Sequence, residues 1–512
     1  MVFTSNEFLL LFLPIALAGF ILLRRFSSNQ GMVWYLLFIS LIFYSWWNPL
    51  YVPLLLGSIL FNYGLGRAVA SGGLPPSSGL WLGVSANLAV LAWFKYSLFL
   101  SQAFEPITGF MLPHYDGELP LAISFFTFLQ IAYVVDVCRT GKNEGRFSDY
   151  ALFVVFFPHL IAGPLIHHKE LIPQFVKIGR SWRVWQANVV VGMTIFGIGL
   201  FKKIGIADTV APLSDVVFEM ARGGADLTLI PAWIGAVAYA LQIYFDFSGY
   251  SDMAIGLSLM FCLRLPINFN SPYQATSIIE FWKRWHMTLS RFLRDYLYIP
   301  LGGGRMGWPR RLLNLMIVMI LGGLWHGAGW QFLLWGGLHG AYLVVNHGWR
   351  LALGSRQPDM AMPRFLGWAI TFTAVIVAWV PFRAADLSTT LNLWASMAGL
   401  HGISVPGALR AVGEILPMVR IASADFHPFV ILGGYDNLMV MGAALAIALW
   451  MPNVYRLIDR RSPALAVTGA PLPRPFALTW SPRVIFAVAL MIVVGFCLVI
   501  NGQGSPFLYF QF

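Results

Sequence analysis

The chain has 512 residues, 58% of them hydrophobic and 11% charged, with a mean hydropathy of +0.70 and a formal net charge of +11. Soluble domains are about a quarter charged, so this composition excludes a string of globular domains and makes lipid the natural solvent. The positive charge does not indicate a nucleic-acid partner, because the Lys and Arg residues stand in short clusters between apolar runs, as cytoplasmic loops do.

Apolar stretches follow one another at 8–23, 32–44, 51–63, 80–100, 119–137, 189–201, 229–244, 365–380, 429–450 and 484–500. Several approach the ~20 residues that a spanning helix needs, and the reading is an all-α polytopic membrane protein with about 10 to 12 transmembrane helices. Glu7 stands where a signal peptide carries positive charge, and Arg24 and Arg25 follow the run, so the first stretch is expected to stay as an anchor with its N-terminus outside. The basic clusters at Arg24/Arg25, 139–146, 169–183, Lys202/Lys203, 283–311, 350–364 and 456–483 are expected in the cytoplasm. The long segment 382–427 balances Arg383, Arg410 and Arg420 against Asp386, Glu414 and Asp425 and is expected outside. No internal repeat interrupts the pattern, so residues 1–512 form a single membrane domain. Cys138, Cys262 and Cys497 lie far apart in or beside apolar runs and read as small buried hydrophobes.

Two places break the simple alternation. Residues 156–168, FFPHLIAGPLIHH, lie between two basic loops and are too short to cross and return, which points to a re-entrant segment. The same holds for a hairpin over 312–345: Leu312 to Trp325 makes only ~21 Å of helix against a core of ~30 Å. Its turn, GGLWHGAGW, then falls within the membrane, where irregular backbone survives only when buried in protein or lining a cavity. His326 is thereby placed at depth.

An ionisable side chain in such a place is a functional candidate by default. His326 is flanked by Gly322, Gly323, Gly327 and Gly329, which are expected to leave room for a substrate, and an imidazole there can take and return a proton. A structural histidine bonding a broken helix is the alternative. Residues 278–301 read as a cytoplasmic interfacial helix with Lys283, Arg284, Arg291 and Arg294 on one arc and Trp282, Trp285, Leu289, Phe292 and Tyr296 on the other. His286 falls at the margin of the apolar arc and turns toward the bundle. Arg291 and Arg294 are candidates for the phosphates of a cytoplasmic donor, with anionic lipid as the competing partner. Gly302 to Gly304 lack the Lys-Ser/Thr of a phosphate loop and read as a helix terminator.

Other polar residues invite structural readings. Asp246, Ser248 and Asp252 are expected to hold broken helices by hydrogen bonding, and Lys95, in WFKYS, to snorkel or to be paired. His159, His167 and His168 lack the spacing of a metal site, so no metal is expected; His339 and His347 read as packed or interfacial. With neither a GxSxG elbow nor a Ser/His/Asp pattern, any chemistry is left to histidine and positioning.

The segments YFDFSGYSDMAIGL, LPINFNSPYQATSIIEFWKRWHMTLSRFLRDYLYIPLGGG and GGLWHGAGWQFLLWGGLHG closely resemble the membrane-bound O-acyltransferase family. Within it the chain is similar to the membrane subunits of bacterial alginate O-acetylation; the opening VFTSNEFLLLFLPI and the closing FLYFQF share the likeness. The resemblance implies helices around a central pore, with the donor arriving from the cytoplasm and the acceptor from outside. It also implies catalytic roles for His326, in the WHG element, and His286, in WHxxLS. Acetyl-CoA as the donor substrate, no permanently bound cofactor, a periplasmic SGNH-type partner, a polysaccharide acceptor and an inner-membrane location follow from the same likeness. D-alanyl transfer to teichoic acid, or a transporter or flippase, are the competing functions.

Overall fold

The computed structural model describes residues 1–143, 145–178, 182–352, 363–405, 419–421, 435–458 and 463–465, with short pieces at 489–490, 492–495, 497–499 and 508. Its main helices, in order, are α1 (Glu7–Phe26), α2 (Asn29–Ser45), α3 (Pro49–Ala70), α4 (Pro76–Thr108), α5 (Ile123–Thr140), α6 (Phe147–Val155), α7 (Trp182–Arg222) and α8 (Leu229–Met260). There follow α9 (Ile278–Trp282), α10 (Met287–Leu293), α11 (Trp308–His326), α12 (Trp330–Ala352), α13 (Arg364–Arg383), α14 (Leu387–Met397) and α15 (Tyr435–Trp450). Among the described residues, seven are long and apolar enough to cross a membrane: α1, α3, α4, α5, α7, α8 and α13. The chain is an all-α polytopic membrane protein. Parts of the apolar stretch at 484–500, and residues 406–418 and 422–427 of the segment 382–427, lie outside the described residues.

The centre of the bundle is α8, 32 residues buried along almost their whole length. A helix apolar all round must be surrounded by others, and α7 lies against it at backbone distance. A Cβ on Gly256 would stand 2.5 Å from the Gly192 carbonyl oxygen, and one on Gly249 2.7 Å from that of Gly199. Small residues repeated on facing helices allow this approach where the lipid supplies no hydrophobic drive.

Lys202 and Lys203 form no cytoplasmic loop. They sit in a π-helical turn, Phe201–Ala207, inside the continuous α7. Lys202 Nζ donates to Asp252 Oδ2 at 2.6 Å, while Lys203 Nζ lies 2.7 Å from both Asp208 Oδ1 and Asp246 Oδ1. Tyr455 donates to the other oxygen of Asp252 at 2.6 Å. A rule that counts cations along the sequence misreads this pair, because its carboxylates come from another helix and from one turn downstream. The structural reading of Asp246 and Asp252 accounts for these contacts.

The interfacial segment is broken rather than continuous. After α9 the chain turns through Lys283–His286, with His286 in the left-handed region at φ 42° and ψ 53°, before α10 begins. The cause lies in the preceding loop: the Asn270 amide bonds the Arg284 carbonyl at 2.9 Å, and the Met287 amide bonds that of Asn268 at 2.9 Å. These bonds draw the chain into the bundle and replace helical ones. Residues 156–168 are likewise buried, the Phe157 amide held by Ser40 Oγ at 3.1 Å and the Leu165 amide by Thr288 Oγ1 at 3.0 Å.

Removing Lys203 leaves two buried carboxylates without their cation, a change that costs roughly 3–5 kcal/mol in buried pairs. Lys203→Met is therefore expected to lower the melting temperature of the detergent-purified protein sharply. A melting curve superimposable on that of the wild type would contradict the pairing.

Candidate active site

Helix α11 begins at Trp308, with Pro309 in its first turn, and its 19 residues make about 28 Å of helix. It is thus longer than its apolar stretch alone. His326 is its last residue; Gly327 leaves the helix extended and α12 starts at Trp330. The two helices touch closely because Gly323 faces the Phe332 carbonyl and Gly336 faces that of Met319. Gly327 is covered by the Phe332 ring. These glycines serve helix packing and do not open room for a substrate.

His326 is buried in an aromatic setting, with ring centroids of Trp325 at 4.9 Å, Trp335 at 5.2 Å and Phe382 at 5.2 Å. Phe382 lies at the far end of α13 from Arg364. His286, 40 positions away in sequence, comes to 6.4 Å from His326, centroid to centroid. The bent segment that turns His286 inward buries it completely.

The loop residue Asn268 holds His286. Its Oδ1 lies 3.1 Å from His286 Nδ1 and accepts from Thr288 Oγ1 at 2.9 Å, while its Nδ2 donates to Ser251 Oγ at 3.2 Å. With Asn268 oriented by this network, Nδ1 carries the proton and Nε2 keeps its lone pair. Nε2 has no partner among the described residues. Asn268 was not among the residues singled out from sequence; only its place in the motif LPINFNSP pointed to it.

His339, on α12, read from the sequence as packed or interfacial, lies close by. It is fully buried beside Trp282 at 5.1 Å and Trp335 at 4.8 Å, and neither ring nitrogen has a partner among the described residues. Nε1 of both Trp282 and Trp335 is also unpartnered there. Buried polar atoms are seldom left so in native proteins. A separate cavity of about 630 Å³ is lined by Lys283, Asn346, Trp349, Arg350, Arg364 and Glu280.

Arg291 and Arg294 are not brought together at this site. Arg291 makes a two-pronged pair with Glu170, at 2.7 and 2.8 Å, and is 10% exposed. Burial alone would push the Glu170 carboxyl up; the Arg291 contacts more than offset it and hold the group below the usual carboxylate range. Arg294 is exposed and bonds its neighbour Asp295 at 2.7 Å. His168 meets Asp136 at 3.2 Å, and His167 meets the Tyr296 hydroxyl at 3.0 Å.

A multi-pass helical membrane protein with two buried histidines brought together from separate elements is the class that fold and site define. The family model of the MBOAT, membrane-bound O-acyltransferase family matches residues 80–385. The chain belongs to this family and is an O-acyltransferase. It is 38% identical to the peptidoglycan O-acetyltransferase of Helicobacter pylori, over all of this chain and 98% of that protein. It is 41% identical to the probable alginate O-acetylase AlgI of Azotobacter vinelandii, over the full length of both. The teichoic acid D-alanyltransferase of Streptococcus thermophilus is 26% identical over 51% of this chain and 68% of its own length.

Asn268→Leu frees the His286 ring to rotate and to change tautomer. Acyl transfer is expected to fall by up to about 100-fold, the scale of a misplaced catalytic group, with the protein still inserted and monodisperse. Full activity in that variant would dismiss Asn268 as a support.

Proposed function

We propose that this protein moves an acetyl group from acetyl-CoA in the cytoplasm to an exopolysaccharide such as alginate, outside the bacterial inner membrane. The observation that carries the reading is the convergence of His286 and His326, from separate elements, in one buried site. Full-length likeness to two polysaccharide-acetylating relatives supports acetyl over D-alanyl transfer, for which the likeness covers half the chain. Absence of an internal repeat in the sequence weighs against a transporter of the inverted-repeat kind.

In this reading the cavity beside Lys283, Arg350 and Arg364 receives the donor's phosphates, with Trp349 beside them. That role passes from Arg291 and Arg294, whose guanidiniums meet Glu170 and Asp295. The nitrogens of Trp282, Trp335 and His339 that have no partner among the described residues offer hydrogen bonds to an amide-bearing arm reaching toward His326.

The chemistry follows from the histidines. A hydroxyl oxygen attacks the thioester carbonyl while His326 takes its proton; the carbon–sulfur bond breaks, and the departing thiolate recovers the proton from the imidazolium. His286, its ring held by Asn268 beside His326, lines the place where the hydroxyl and the thioester meet and keeps them in register. The hydroxyl belongs to a periplasmic SGNH-type partner that relays the acetyl group to the polysaccharide. Membrane lipids surround the outer faces of α1, α3 and α4, which carry exposed Leu, Ile, Phe and Trp side chains.

His326→Gln keeps a hydrogen-bonding side chain but cannot take a proton at neutral pH. Acetylation is expected to drop by about 100-fold or more, with expression and insertion unchanged; near-normal acetylation would remove His326 from the reaction. For the donor, Lys283→Gln combined with Arg350→Gln is expected to raise the KM for acetyl-CoA more than it lowers kcat. An unchanged KM would detach the cavity from the donor.

A further inference from the structure

Helix α11 ends at His326 inside the protein, and the last carbonyls of any helix have no partner within it. Lys95 and Tyr96 supply the partners here. Lys95 Nζ donates to the Trp325 carbonyl at 2.7 Å and to that of His326 at 3.0 Å, and the Tyr96 hydroxyl donates to the Leu324 carbonyl at 2.8 Å. Three consecutive carbonyls are thus held by two consecutive residues of another helix. Both residues lie in a π-helical turn of α4, Ala92–Tyr96, where the wider winding sets adjacent side chains closer to one face.

The lysine also forms part of the wall of a cavity of about 240 Å³, lined by Trp47, residues 118–125 and Ile161. This cavity opens at the start of α5, the end opposite Arg139, and so on the side assigned to the acceptor. An ammonium at this point meets the negative end of the α11 dipole. A cation among apolar helices is expensive to keep unless it has such a task. Trp325, whose carbonyl it holds, packs beside both histidines, 4.9 Å from His326 and 6.2 Å from His286 by ring centroids.

We propose that Lys95 is a positioning residue of the acyl transfer: by clamping the Trp325 and His326 carbonyls it fixes the backbone from which the His326 ring is aimed between the outer cavity and His286. The inference rests on the catalytic reading of His326. A cap that merely stabilised α11 would leave the reaction rate per folded molecule unchanged, and the two roles separate on that basis.

The test uses the purified full-length protein in liposomes, with labelled acetyl-CoA and the acceptor partner. Rates are normalised to the monodisperse fraction, for wild type, Lys95→Met, Lys95→Arg, His326→Gln and the Lys95→Met/His326→Gln double variant. Lys95→Met is expected to lower kcat by about 10- to 100-fold, with the KM for acetyl-CoA within about twofold of wild type; Lys95→Arg, which keeps a charged donor, recovers much of the loss. In the His326→Gln background, Lys95→Met costs little more, because both act through one side chain. Three results would overturn the proposal: an unchanged kcat in Lys95→Met, an equal loss in both backgrounds, or loss of monodisperse protein in both Lys95 variants. Should His326→Gln itself prove active, the catalytic reading fails first, and the two failures are told apart.

Discussion

Every polar group of a backbone that ends among apolar side chains must find a partner within the protein, and the end of α11 at His326 is where this chain meets that constraint most severely. In water the terminal carbonyls would be solvated at no cost; here each unsatisfied one costs several kcal/mol. Lys95 and Tyr96 meet the demand from α4. The same demand fixes the place of the histidine, because the residue that ends the helix is the one whose backbone is held.

The second histidine is set by the same kind of argument applied to a loop. Residues 268–270 pair with 284–287 through backbone bonds, so the segment that would have run as an amphipathic helix at the interface breaks and turns inward. His286 adopts a left-handed conformation that costs energy for a residue with a Cβ, and strain of this type gathers at functional sites. Its retention is accounted for by the Asn268 network that orients the ring. The ion pairs of α7 with α8, and the Arg291 pair with Glu170, tie together the elements around both histidines.

Much of this was legible in the residues. Composition identified a helical membrane protein, and the glycine-rich break after His326 located the hairpin turn; the family likeness added the pairing with His286. What failed to show was whatever depends on contacts between distant segments. Lys202 and Lys203 read as a cytoplasmic loop because Asp246 and Asp252, their neutralising partners, lie more than forty residues away. Arg291 read as a free cation because Glu170 is 121 positions distant. The bend at Lys283–His286 was hidden because residues 278–301 have helical periodicity throughout, and periodicity does not register a competing hydrogen-bonded neighbour such as Asn268. His339 read as packed or interfacial; that neither ring nitrogen has a partner among the described residues is a property of the packed structure alone.

The central claim is that the two histidines and the donor's reacting carbon meet in one buried site. The most direct measurement is a cryo-electron microscopy structure of the protein with a non-hydrolysable acetyl-CoA analogue bound. The account predicts the nucleotide in the cavity beside Lys283 and Arg350, the arm passing Trp282 and His339, and the acyl carbon within roughly 4 Å of where a hydroxyl bonded to His326 would sit. An acyl group resting more than about 10 Å from both histidines, with the site closed between them, would contradict it.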